Sequence, residues 1–87
     1  MSGETLPLRI RVQDIWEEIP MAADAALSVA ELKREALERV RIRRDPAGYV
    51  VKFRGAELFN EAGSLKDAGV VANANLIVLP RRRRPVR

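Results

Sequence analysis

The chain has 87 residues, 47% of them hydrophobic and 32% charged, enough for one small core and too apolar for wholesale disorder. It holds no cysteine and no histidine, which excludes a disulfide framework, thiol catalysis and thiolate metal sites and removes the commonest general base and metal ligand. The net charge of +4 divides unevenly, because five arginines lie in residues 81–87 and leave eleven basic against twelve acidic side chains in residues 1–80.

A nucleic-acid-binding domain is expected to carry a basic face on its body, so this division reads as a near-neutral body with a basic tail. No apolar run is long enough to span a bilayer. The start, MSGETLPLRI, lacks the basic residues and apolar core of a signal peptide. A cytoplasmic protein is expected, with residues 1–5 a flexible N-terminus, 6–80 one domain and 81–87 an arginine-rich tail.

Leu6, Leu8, Ile10 and Val12 alternate with Arg9 and Arg11, the period of a strand with one face buried. A second strand around Trp16 to Ala23 places Ile19, Met21 and Ala23 on one parity, and Pro20 confines it to a sheet edge. Ser28-x-x-Glu31 is a capping box, followed at helical spacing by Val29, Leu32, Ala36, Leu37 and Val40. Arg39, Arg41 and Arg43 stand near the helix end, where cations complement the macrodipole. Asp45-Pro46-Ala47-Gly48 turns the chain into a β-rich run from Tyr49 to Phe53. Gly55 then precedes a short Glu57-Leu58-Phe59 stretch. Ser64 to Gly69 reads as one helical turn closed by glycine, and Leu76-Ile77-Val78-Leu79 as the last strand. The order predicts an α+β domain, a mixed sheet of four or five strands covered by one amphipathic helix.

The same residues resemble ubiquitin and the ubiquitin-like β-grasp family over residues 6 to 84. Ser28-Val29-x-x-Leu32-Lys33 is similar to the family's helix start, and Phe53-Arg54-Gly55-Ala56-Glu57-Leu58 to its Phe-x-Gly-x-x-Leu turn. Ser64-Leu65-x-Asp67-x-Gly69-Val70 followed by Leu76 to Leu79 resembles the approach to the last strand, with wording also like small bacterial proteins of the YukD type. Conjugating members of the family end in two glycines. Here Arg84-Pro85 occupies that place, so the resemblance implies no conjugation by the familiar route. It also implies a recognition patch on the outer sheet face, where Lys52 takes the position of a central isoleucine and Ile77 and Leu79 point outward.

The expected contacts are therefore Lys52, Ile77, Leu79, Arg81, Arg82, Arg83 and Arg84, with Trp16 as an outside candidate. Trp16 is either an exposed anchor or part of the core. The arginine run is a solvated tail, a surface for an acidic protein, or a non-specific phosphate contact. No stacking aromatics flank it, and membrane attraction lacks a second anchor. Lys33 reads as a partly buried structural lysine. The Glu17-Glu18 pair, on opposite faces of a strand, cannot flank one substrate and reads as edge protection. No catalytic, cofactor-binding or metal-ligating residue is singled out.

The expected function is a non-catalytic, non-conjugated, bacterial interaction module or adaptor, monomeric, for a protein partner that the sequence does not identify and for which the arginine tail suggests an acidic surface. The alternatives are a small non-catalytic subunit of a multicomponent enzyme such as a monooxygenase, a modifier in an atypical conjugation pathway, and tail-mediated nucleic-acid binding.

Overall fold

A computed structural model of the chain describes residues 4–13, 15 and 17–81. Strands β1 (Thr5–Val12) and β2 (Glu17–Asp24) form an antiparallel hairpin. Alternation in β1 is complete: Leu6, Leu8, Ile10 and Val12 are buried, while Thr5, Pro7, Arg9 and Arg11 are exposed. β1 begins at Thr5, and the Glu4 carbonyl accepts a hydrogen bond from Ala25 N–H at 2.7 Å. The ordered body thus takes in two residues that the sequence reading assigned to the flexible N-terminus.

Helix α1 (Val29–Arg39) starts at the expected capping box. Ser28 Oγ accepts from Glu31 N–H at 3.0 Å, and Glu31 Oε1 accepts from Ser28 N–H at 3.3 Å. Its apolar stripe buries Val29, Leu32, Ala36 and Leu37 against the sheet, with Val40 only half-buried. The helix stops at Arg39, short of Arg43, because the backbone turns left-handed at Arg41, with φ of 63°. Arg41 and Ile42 N–H donate to the carbonyls of Glu38 and Leu37, both at 3.0 Å. That closure ordinarily uses glycine, which has no Cβ to strain.

A short 3-10 turn, Pro46–Gly48, is capped by Asp45 and leads into β3 (Tyr49–Phe53). The loop Arg54-Gly55 joins β3 to β4 (Ala56–Glu57), with φ of 58° and 81°. Two positive φ values in a two-residue loop are the pattern of a primed hairpin turn. β4 is shorter than the expected Glu57–Phe59 run, and Phe59 stands 80% exposed in the loop beyond it. In the turn from Ser64, Ala68 N–H donates to Ser64 carbonyl at 3.0 Å, and Gly69 closes it at φ of 86°. β5 (Ala74–Pro80) begins two residues before Leu76, since Ala74 and Asn75 already pair with Leu8 and Arg9.

The sheet order is β2-β1-β5-β3-β4, with β1 and β5 parallel and every other pair antiparallel. β2 lies at an edge, where Pro20 can be tolerated. All apolar residues of one parity from β1, β2, β3 and β5 meet α1 in a single core, closed below by Leu65 and Val70. Lys33 lies inside this layer, only 2% exposed. Its Nζ donates to Tyr49 carbonyl at 2.8 Å and to Glu61 Oε1 at 2.7 Å. A buried ammonium is tolerated only when it is paired in this way. Among the described residues, no helix is long and apolar enough to cross a membrane.

Candidate functional site

Parity in the strands decides which side chains leave the core. With Leu76 and Val78 buried, Ile77 and Leu79 must point to the opposite face, and Ile77 is 41% exposed. Lys52 is opposite Ile77 in the β3–β5 ladder, and Val50 is opposite Leu79. From the other side, Arg11 is opposite Ile77 and Arg9 opposite Asn75. Glu18 pairs with Arg11, and Glu57 with Lys52. One line therefore crosses the whole sheet in the order Glu18, Arg11, Ile77, Lys52, Glu57.

Each step across that line is one strand spacing, about 4.8 Å. Arg11 and Lys52 then stand about 10 Å apart with an apolar side chain between them. Val50 and Leu79 extend the apolar ground beside Ile77 along the strands. Val50 is buried on this outer side, outside the main core. An open hollow lined by Gln13, Val50, Lys52, Glu57, Leu79 and Arg81 continues from it.

Arg81 is tied to the body. Its N–H donates to Gly48 carbonyl at 2.7 Å and its Nε to Ala47 carbonyl at 3.3 Å. Its Nη1 lies 3.9 Å from Glu57 Oε2. Lys52, Ile77, Leu79 and Arg81 thus share one face, as their strand parity requires. Trp16, Arg82, Arg83 and Arg84 lie outside the described residues; Ile15, next to Trp16 in the sequence, stands at the hairpin turn, 36% exposed.

Sequence reasoning left out Arg9, Arg11, Glu18, Val50 and Glu57. The signal for the two arginines was present in the β1 alternation, but their place beside Ile77 comes from the parallel β1–β5 pairing. The near-neutral body charge also concealed that Arg9, Arg11, Lys52 and Arg81 gather on one face. The basic character is not confined to the tail. What this face can do chemically is bind: cations flank an apolar strip, with acids at both margins. Among the described residues, no three His, Cys, Asp or Glu side chains come together to hold a metal ion.

No family model matches the chain, and no curated protein does. Solved structures do resemble it. The ubiquitin-like domain of tubulin-binding cofactor B has 20% identity and a TM-score of 0.79, over 91% of this chain and 92% of that one. The C-terminal ubiquitin-like domain of mouse tubulin-specific chaperone e has 19% identity and a TM-score of 0.79, over 99% and 96%. The ubiquitin-like domain of an Arabidopsis thaliana protein has 13% identity and a TM-score of 0.75, over 99% and 87%. At such identities the likeness establishes fold alone. The chain is an α+β domain with the ubiquitin-like β-grasp architecture.

Proposed function

We propose that this chain is a non-catalytic, non-conjugated protein-interaction module, a cytoplasmic bacterial adaptor that engages its partner through the outer sheet face. The observation that carries the reading is the register line Arg11–Ile77–Lys52. It suits a partner segment presenting an apolar side chain between two acidic groups about 10 Å apart. Ile77 and Leu79 supply the desolvated centre, and Lys52, Arg11 and Arg81 to Arg84 the electrostatic rim.

The line also argues for a partner other than a second copy. A twofold axis through Ile77 would set Arg11 against Lys52 and Glu18 against Glu57, so like charges oppose each other. The non-conjugated reading rests on Arg84-Pro85, which stand at the position where conjugating ubiquitin-like proteins carry two glycines. The bacterial reading rests on the wording Leu65-x-Asp67-x-Gly69-Val70.

The test is affinity capture from bacterial lysate with the full chain and with Ile77→Asp/Leu79→Ala, read by mass spectrometry. At least one protein retained by the parent chain should be lost from the variant. An identical set of retained proteins on both would remove the outer face from the account.

A further inference from the structure

A second basic surface forms where α1 ends. In Arg39-Val40-Arg41-Ile42-Arg43-Arg44, Val40 and Ile42 pack half-buried against the core, which throws the arginines outward. Arg39 is paired with Glu35 at 3.6 Å. Arg41, Arg43 and Arg44 are exposed and make no ion pair among the described residues. Complementing the helix macrodipole accounts for arginines within the last turn and no further, so Arg43 and Arg44 lie outside its reach. Arg41 also occupies a left-handed position, φ 63°, at a steric cost that glycine would avoid.

The end of β5 reaches the same pole. Arg81 is hydrogen-bonded to Ala47 and Gly48, and Ala47 is three residues from Arg44, a span of at most about 11 Å. In the sequence Arg82, Arg83 and Arg84 follow directly. The nearby acids are partly engaged: Asp45 Oδ1 accepts from Ala47 N–H at 2.9 Å, and Glu57 faces Arg81.

We infer that this pole, Arg41, Arg43, Arg44 and Arg81, binds the phosphate backbone of nucleic acid without reading its sequence. Every cation in it is an arginine, whose planar fork matches phosphate oxygens in pairs. Among the described residues, the pole has no large exposed apolar side chain of the kind that anchors a protein interface, and none that would serve as the second membrane anchor. Attraction from charge alone is what a dense line of phosphates rewards, through release of its condensed counterions. The body supplies the basic surface that its near-neutral total charge hid. This site is separate from the outer face and shares only Arg81 with it.

The probe is a fluorescent duplex of about 20 base pairs, titrated with the full chain across ~50 to ~200 mM salt. The slope of log affinity against log salt should fall between about −3 and −4, for roughly four neutralised phosphates. Arg43→Gln/Arg44→Gln should make the slope shallower by about 2 and weaken binding tenfold or more at ~0.1 M salt. Arg9→Gln, on the outer face, should leave binding within about twofold, and a poly-glutamate chain of equal charge should bind at least tenfold more weakly. The proposal is overturned if the double variant melts like the parent and binds the duplex equally well. It is also overturned if poly-glutamate binds as tightly, which would assign the pole to an acidic protein. Neither result would bear on the Ile77 capture experiment.

Discussion

The two faces of one sheet carry opposite chemistry on alternating residues of the same strands. The inner face of β5 presents Ala74, Leu76 and Val78 to α1, and the outer face presents Asn75, Ile77 and Leu79. The inner positions are interchangeable in kind, since any well-fitting apolar side chain would serve. The outer ones are ordered by charge, and their order is meaningful only across strands. In this fold stability resides on one parity, and the other parity is free to carry recognition.

Adjacent residues of β5 give the sharpest way to break that comparison. Leu76→Ala should cost about 2–5 kcal/mol by leaving a cavity in the core, enough to unfold a large fraction of so small a domain. Ile77→Ala, one residue on, should cost less than about 0.5 kcal/mol. Urea denaturation checks both, through a large midpoint shift for the first and almost none for the second. Comparable shifts would mean that the outer face is a second core.

The buried pair is the next largest effect. Glu61→Ala leaves the Lys33 ammonium, 2% exposed, with Tyr49 carbonyl as its remaining partner, and should cost about 1.5–3 kcal/mol. Lys33→Met removes the buried charge itself and should cost less than Glu61→Ala, because Glu61 stays within reach of water. Denaturation midpoints of the two variants test the order. A reversal would mean that the lysine holds the loop to β3 chiefly through Tyr49.

A smaller effect, of opposite sign, is expected at the pole. Arg41→Gly relieves the left-handed strain and should stabilise the chain by about 0.5–1 kcal/mol, a rise in melting temperature of roughly 3–6 °C for a domain this size. The same substitution should weaken duplex binding about fivefold at ~0.1 M salt. Stability and phosphate affinity moving in opposite directions would mark Arg41 as a position kept for its charge.

Elements set by short-range chemistry were legible in the sequence. The Leu6 to Val12 alternation, the Ser28–Glu31 box and the Gly69 closure each need only neighbours within a few residues, and each stands where its pattern placed it. Ile77 was legible as outward because parity is local, and Lys52 and Leu79 through the resemblance to the ubiquitin-like family. Their companions were not. Arg11 meets Ile77 only through a parallel pairing 66 positions apart in the chain, and Lys33 meets Glu61 across 28. Arg41 hid the helix end because an arginine in a left-handed turn carries no sequence signal. Charge counted along the chain likewise missed the basic outer face, which arises from strand order, and it gave Arg39, Arg41 and Arg43 no role beyond complementing the helix dipole.

The most direct measurement of the central claim is amide chemical-shift mapping of the labelled chain titrated with a protein recovered by affinity capture. The account predicts that the perturbed residues cluster on Arg11, Lys52, Ile77 and Leu79, with α1 unaffected. Perturbations centred on the exposed face of α1, around Glu35 and Glu38, would contradict it.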